Sequence, residues 1–577
     1  MKVLVFAKQI PDVNRIKYDP KTNRIVRENV PLSMNSFDRK AVEEAIRMKE
    51  KYGFETVVAS MGPPQARDIL NEALRMGIDS AYLITDRKFG GSDTLATSKI
   101  LSEFAAKIKP DIILTGRYSL DGETSQVPPE LAVFLHFSFR SAVSKIDLNS
   151  EEGNMVVEQD AESGSRKFRL KFPAVLSVSE KINRARAVRP DAPDMSEKVV
   201  TVDAAWLGID IDGKEYSPTV VSGTTQMEST RKVTMLDPGK EVFREVDEII
   251  GSARKAFSRN TSEIKVPEYS EGNDEILGVA VGNVASAIEI ATKISELASG
   301  NGLNVSMIGN LDPGDLQGMA CHTYYMIESD DFMATANAIA DHIRKGRTRY
   351  VVYPANTDGR DIAATVAAEL NLGLTADCVD LKIENGQLIQ YKPAFGGNII
   401  ASIYSRTSPA MATVRQGIFR TATSPDRFAV VTLQAGRDSG QEFMGETELP
   451  QEYLPLTSSD IVIGFGRGVK KRDTIGQILK LANRLGAAVG ATRPMVDMNF
   501  IPRQQQIGLT GISIAPAVYL ALGISGQANH VVGIRYAGKV IAVNSDPSAD
   551  IFRYADYGIV MDLNDFISGF SDYLENS

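Results

Sequence analysis

The sequence predicts an α/β protein in which two related doubly wound domains form a pseudo-twofold pair and a third α/β domain closes the chain. Three observations carry this. Short apolar runs alternate with longer helical patterns, the rhythm of parallel sheets flanked by helices. The segments Asp93-Thr94-Leu95-Ala96-Thr97-Ser98, Asp111–Gly116 and Asp121-Gly122-Glu123 recur as Phe332-Met333-Ala334-Thr335-Ala336, Tyr350–Pro354 and Asp358-Gly359-Arg360, at offsets of 238 for the Ala-Thr pairs and 237 for the Asp-Gly pairs. Finally, a fresh strand at Asp460–Ile463 runs into a glycine-rich turn.

Taken in order, Met1–Ala7 reads as a buried strand, because Lys8 and Asp12 interrupt its apolar run too early for a signal peptide. Helical patterns follow the Asp-Gly segments at Val127–Phe134 and Ile362–Leu370, which places both Asp-Gly pairs in loops at the ligand-binding edges of their sheets. Residues Gly213 to Asp274 break the rhythm and read as a connector with an arm on a neighbouring domain. Pro450 and Pro455 mark a second boundary between Gln441 and Ser459. The predicted domains are 1–265, 266–450 and 451–577. The longest apolar tract, Ile512–Ile524, contains Pro516 and is too short to span a membrane, so a cytoplasmic protein without membrane insertion is expected.

The 577 residues are 43% hydrophobic and 24% charged, an ordinary globular composition. A net charge of -9 argues against nucleic acid as a partner, since that surface must displace cations. Cys321 and Cys378 are the two cysteines; His322 adjoins the first, but without a second spaced pair neither zinc nor an iron-sulfur cluster is supported, and two buried thiols are expected.

The chemistry concentrates near the end. Thr492-Arg493, the stretch from Gly511 to His530 and Asn544-Ser545-Asp546-Pro547 collect an Arg, a His, hydroxyls and glycine turns in one αβ unit, a set suited to holding a dinucleotide beside positive charge. The strand Ile461–Ile463 leads into Gly464-Phe465-Gly466-Arg467-Gly468 and a helix over Thr474–Leu485. Val469 stands where the third glycine of the nicotinamide-dinucleotide fingerprint belongs, so that fingerprint fails.

These residues resemble the electron transfer flavoprotein family. Gly523-Ile524-Ser525-Gly526 with His530, Pro393-Ala394-Phe395-Gly396-Gly397-Asn398 and Met411-Ala412-Thr413-Val414-Arg415 are similar to its alpha subunit; Lys8-Gln9-Ile10-Pro11-Asp12, Ser36-Phe37-Asp38 and Glu43-Glu44-Ala45 are similar to its beta subunit. The resemblance implies a beta subunit fused ahead of an alpha subunit, with a Rossmann-like FAD-binding domain last. It implies FAD contacts at Arg467, Thr492, Arg493, Ile507, Gly508, Leu509, Thr510, Ser525, Gly526, Gln527, Ala528, Asn529, His530, Asn544, Asp562 and Leu563. Arg493 and His530 would lie near the isoalloxazine, Thr510 near its N5, and Asn544 and Asp562 toward the adenosine. Arg493 would supply fixed charge, and His530 a hydrogen bond set by its protonation. Leu509 departs from the usual Gln and offers no side-chain hydrogen bond.

Ser60–Ala66, Asp86–Ser98 and Asp121–Val127 look like the flavin-bifurcating group, which implies a second FAD at Thr94, Thr97, Asp121, Gly122, Thr124, Ser125, Gln126 and Val127, where other members hold AMP. Ser36 and Pro128 depart from the usual Pro and Gly. Pro193–Lys198 corresponds to the partner-docking segment but lacks most of its lysines, and Met195 reads either as an apolar anchor or as a surface methionine with no partner. The implied function is an electron carrier between dehydrogenases and a membrane quinone oxidoreductase or other acceptor, with NADH oxidation and bifurcation as its stronger form and no catalytic side chain demanded. A single-FAD carrier with structural AMP and a non-redox adenine-nucleotide sensor stay open as alternatives.

Overall fold

In the computed structural model the described residues are 1–12, 17–19, 24–26, 30–149, 152–162, 164–226, 231–257, 263–397, 399–448, 450 and 452–576. Asn398 of the resemblance motif lies outside them. Three sheets organise the chain. The first orders its strands 199–202, 80–84, 55–61, 2–6, 112–116, 174–178 and 138–149, all parallel, then continues antiparallel through 154–161, 164–171 and 442–448. The second orders 429–433, 323–327, 304–309, 275–280, 348–354, 410–414 and 374–378, all parallel.

Matched strand for strand in chain order, these two arrangements are the same topology, so the internal duplication is a duplication of fold. The capping repeats it. Asp93 accepts from Ala96 N to start helix Thr94–Ile108, and Asp331, 238 residues on, accepts from Met333 N and Ala334 N to start helix Phe332–Lys345. Strands such as Lys2–Phe6, Ile112–Gly116 and Asn304–Gly309 are buried nearly throughout because helices cover both faces, which is why they read as continuous apolar runs. One core joins the two units: Leu4, Leu131 and Val175 of the first with Leu277, Ile362 and Met411 of the second.

The third sheet orders 234–236, 557–560, 539–544, 518–522, 461–465 and 488–491, all parallel. Its first strand comes from the connector. The connector also supplies strand Thr219–Gln226, which pairs with Ile399–Ser405, and helix Val242–Phe257, whose Val242, Val246 and Ile250 are buried in the third core. Burying each such side chain is worth roughly 2 kcal/mol, so this arm is an integral layer of the third unit. Conversely, Glu442–Glu448 returns to pair with Gly164–Lys171 of the first sheet. The three units are thus stitched together by exchanged strands. Among the described residues no helix is long and apolar enough to cross a membrane, and Cys321 and Cys378 are buried free thiols.

One sequence expectation changes. Asp358-Gly359 does not form an open loop: helix Thr357–Leu370 already begins at Thr357, and a Cβ on Gly359 would meet Pro354 O at 2.1 Å. In the first copy Asp121-Gly122 stays in the ten-residue loop 117–126 before helix Val127–Leu135.

Candidate functional site

Two clefts open at the carboxyl edges of parallel sheets. The larger, about 860 Å³, lies in the third unit beside strand Ile461–Phe465, where the chain crosses first to Ala488–Ala491 and then back to Val518–Leu522. Such a switch point leaves a crevice between diverging loops. Its wall brings together Arg467, Thr492, Arg493, Ile507, Gly508, Leu509, Thr510, Ser525, Gln527, Asn529, His530, Asn544, Asp562 and Leu563. Gly526 and Ala528 sit in the same turn but behind the wall. Gly526, at φ +91°, packs against the 550–551 backbone, and a Cβ there would stand 2.1 Å from Ile551 N. Lys470 adds charge the sequence reading missed; it lies just beyond the glycine turn.

The side chains differ in what they have left to offer. Asn544 donates to Ile524 O at 2.9 Å and accepts from Asp546 N at 2.9 Å. Asp562 accepts from Asn564 N at 2.8 Å. Thr510 Oγ1 accepts from Gln506 Nε2 at 2.9 Å. These residues shape loops as much as they face the cleft. Arg493 is 55% exposed, 3.5 Å from Asp497, and therefore well hydrated.

His530 departs from its expected role. It is 6% exposed, with Nδ1 3.1 Å from Ile507 O and Nε2 2.9 Å from Tyr519 Oη. A carbonyl only accepts, so Nδ1 carries the hydrogen and Nε2 accepts from the phenol. Burial lowers its pKa to about 4, against a small opposing pull from Ile507. The ring is a neutral wall whose two nitrogens are spoken for by the protein, and a hydrogen bond to a ligand set by its protonation does not follow from this arrangement.

The second cleft, about 400 Å³, lies in the first unit beside strand Lys2–Phe6. Thr94, Thr97, Gly122, Thr124, Ser125, Gln126 and Val127 line it, together with an apolar wall that includes Phe6, Met61 and Phe89. Asp121 does not: it pairs with Lys8 at 2.7 Å and accepts from Gly122 N at 2.8 Å, which anchors the loop instead. Gln126 is consumed at both ends, accepting from Thr94 Oγ1 at 2.7 Å and donating to Leu374 O of the second unit at 3.1 Å. Glu123 and Ser125 hold φ near +50° and +57°, a left-handed conformation uncommon for such residues. Gly396 N of the second unit holds Glu123 Oε1 at 3.0 Å, so the neighbouring unit helps to keep this strained loop open.

Asp38 organises the cleft floor. One carboxylate oxygen accepts from Lys8 N at 2.8 Å and the other from Gly116 N at 3.0 Å, joining the ends of two adjacent parallel strands. Burial pushes its pKa up to about 7, although the backbone donors pull the other way. Behind the wall, Glu130 accepts from Ser98 Oγ at 2.7 Å, and burial raises its pKa to about 8. Asp38 had surfaced in the sequence only as part of a resemblance motif; Glu130, Arg117 and Tyr118 had not surfaced. Met195 packs half-buried against the first unit's core, so it is not a surface methionine without a partner.

The larger cleft fits an extended phosphate-bearing ligand: cationic Arg467, Lys470 and Arg493 line it, the amino terminus of helix Arg472–Leu485 follows Lys470 closely in the chain, and the volume is at the upper end of the range for small-molecule and cofactor pockets.

Comparison with known proteins agrees with this assignment. Residues 22–206 and 278–437 match the electron transfer flavoprotein domain, and residues 455–535 match the electron transfer flavoprotein FAD-binding domain. The chain is 35% identical over 295 residues to the electron transfer flavoprotein subunit alpha of Thermoanaerobacterium thermosaccharolyticum, covering 48% of this chain and 89% of that protein. It is 39% identical over 236 residues to the beta subunit of the same organism, covering 40% and 90%. It is also 34% identical over 241 residues to the Acetobacterium woodii protein named lactate dehydrogenase (NAD(+),ferredoxin) subunit LctC, covering 40% of this chain and 57% of that protein. The chain belongs to the electron transfer flavoprotein family, with beta-like and alpha-like parts joined in one polypeptide.

Proposed function

We propose that this member of the electron transfer flavoprotein family carries electrons from dehydrogenases through FAD in the C-terminal cleft, and that the N-terminal cleft takes a second FAD. Bound flavin supplies the redox chemistry, accepting hydride or single electrons. The protein supplies binding and electrostatics. In this reading Arg467 and Lys470 hold phosphate, Arg493 biases the ring toward its electron-rich state, and neutral His530 and Ile507 exclude water from one face. On the same reading the chain divides by subunit likeness at 1–265, 266–450 and 451–577, with the 219–257 arm of the first part packed on the other two; the protein is cytoplasmic, and the acceptor is a membrane quinone oxidoreductase or another carrier. NADH is proposed as a donor, with electron bifurcation between the two flavins, since the name of the Acetobacterium relative pairs NAD(+) with ferredoxin.

The observation that carries this reading is the presence of two clefts at strand-end switch points in one chain, whose walls meet. The N-terminal cleft adjoins a cavity of about 170 Å³ that shares Arg117, Tyr118 and Ser125 with it. This extra space matters, because 400 Å³ by itself is closer to the needs of a mononucleotide, and that favours AMP as the second reading. Denaturing the purified protein and counting released nucleotides tests both. Two FAD per chain after reconstitution with excess FAD is the expected result; one FAD with AMP leaves a single-flavin carrier, and a colourless protein holding AMP or ATP would establish a non-redox sensor. Arg493→Ala should retain the fold and FAD while lowering the first-electron potential by the equivalent of about 1 kcal/mol or less, since the guanidinium is hydrated.

A further inference from the structure

The two clefts share a wall built by the residues Tyr118, Leu509 and Thr510. Tyr118 lines the N-terminal cleft and the small cavity between the units, and Leu509 and Thr510 line the same cavity and the C-terminal cleft. Across that cavity the Tyr118 hydroxyl donates to Leu509 O at 3.1 Å. The phenol is held firmly. Its ring centroid is 4.6 Å from that of Phe37, and its backbone carbonyl accepts from Asn35 Nδ2 at 2.9 Å. Burial pushes its pKa up to about 12, so it remains a donor throughout the neutral range.

The consequence lies on the other side of the peptide. The Leu509–Thr510 bond is trans, so its C=O and N–H point in opposite directions. With the carbonyl turned to Tyr118, the Thr510 N–H points away from Tyr118 and the N-terminal cleft, and Thr510 itself lines the C-terminal cleft. Neighbouring polar atoms are engaged: Leu509 N donates to Asn529 O at 2.6 Å, Thr510 O accepts from Arg503 Nη2 at 2.7 Å, and Gly508 O accepts from Gly511 N at 2.9 Å. The Thr510 N–H finds no acceptor among the described residues. A hydrogen bond accepted by a peptide carbonyl polarises that peptide and strengthens its N–H as a donor.

We infer that Tyr118 is a positioning residue that, through the Leu509–Thr510 peptide, strengthens the Thr510 N–H as a donor to the cofactor in the C-terminal cleft. The inference rests on the reading that FAD occupies that cleft. Reduced flavin gathers negative charge on its ring heteroatoms, so a stronger fixed donor favours the reduced form. A side chain of the first unit thereby tunes the redox preference of the third. Leu509 makes this arrangement intelligible: its side chain offers no hydrogen bond, but its backbone carbonyl is the relay.

Reductive titration of the FAD-loaded full chain, followed by flavin absorbance and with released FAD counted, tests it. The C-terminal flavin is assigned as the wave that Arg493→Ala moves. Tyr118→Phe should keep that flavin and lower its first-electron potential by about 30 mV, about a threefold change in relative affinity for the reduced and oxidised forms. Gln504→Ala removes a contact to Gly164 O at 3.5 Å across the same interface without touching the relay, and should leave the potential unchanged. An unmoved potential in Tyr118→Phe, loss of the C-terminal flavin from it, or an equal shift in Gln504→Ala would each overturn the inference. Failure of the unsubstituted chain to take up flavin at all would overturn the underlying reading, and the inference with it, before any variant is compared.

Discussion

The two copies of the duplicated unit share strand order, capping and register, yet one opens a cleft of about 400 Å³ while the other has its helix terminus capped by protein and faces the small cavity between the units. In the second copy helix Thr357–Leu370 starts two residues after its strand, and Glu162 from the first unit accepts from Thr357 N at 2.9 Å and from Thr357 Oγ1 at 3.1 Å. Arg166 from the same hairpin donates to both carboxylate oxygens of Asp358 at 2.9 Å. A carboxylate thus occupies the helix amino terminus, the position at which an anionic ligand is otherwise favoured. In the first copy the helix cannot start so early. Pro128 and Pro129 lie in its first turn, where missing N–H groups cost nothing; further inside a longer helix they would break it at about 3 kcal/mol or more. The preceding residues therefore stay unwound and border the cleft. The two copies thus differ at the start of one helix, where Pro128 and Pro129 stand in the first turn of the copy that opens the cleft, rather than in topology.

The comparison can be broken most severely at Asp38. Asp38→Ala leaves the Lys8 and Gly116 amides without their acceptor, and should cost about 4 kcal/mol, at about 2 kcal/mol for each buried donor, while emptying the N-terminal cleft of nucleotide. Chemical denaturation and nucleotide release measure the two effects; full nucleotide retention would contradict the role assigned to this carboxylate.

Next comes the pH effect of Glu130 in the first copy. The Glu130 pKa is raised to about 8 in the folded protein from 4.5 when unfolded, so its favourable contribution is complete below pH 4.5 and is lost as pH rises through 8. Glu130→Gln should remove a decline on the order of 3 kcal/mol between pH 5 and pH 8, read from denaturation midpoints across that range. A variant as pH-dependent as the parent would show that Glu130 is ionised in the fold.

Glu162→Ala should cost about 1–2 kcal/mol, the usual loss for an uncapped helix start, and leave the count of bound nucleotides unchanged. A change in nucleotide content would mean that the second copy is not the purely structural one. The smallest effect is expected for Arg166→Met, about 1 kcal/mol or less, because both partners of its ion pair are about one quarter exposed. Combined with Glu162→Ala it should give less than the sum of the two losses, since both residues serve one helix terminus.

Much of this was legible in the chain. The register of Asp93 with Asp331, and of the apolar strands around Ile112 and Val351, announces the duplication because capping and two-sided burial leave local signatures. The glycine turns and the Ser525–His530 segment likewise mark the C-terminal cleft, where most of the expected residues meet. Less legible were residues whose task depends on a distant partner. Asp121 looks like a ligand contact but anchors Lys8; His530 looks like a titrating donor but is neutral between Ile507 and Tyr519. The connector reads as a linker because its strands find their sheets more than 170 and 300 residues away, at Ile399–Ser405 and Tyr557–Val560.

The sequence by itself determined the α/β class, the repeated unit, the family resemblance and the positions of the strand-end loops, since periodicity, caps and turns are settled within a few residues of one another. Only the tertiary structure decided which loop became a cleft and which helix start was capped by Glu162, and that Tyr118 of the first unit reaches Leu509 of the third. Those outcomes depend on whether a buried polar group meets an acceptor brought from hundreds of residues away. Because leaving such a group unpaired costs more than the pair itself contributes, the packing of units, rather than local preference, chooses its partner.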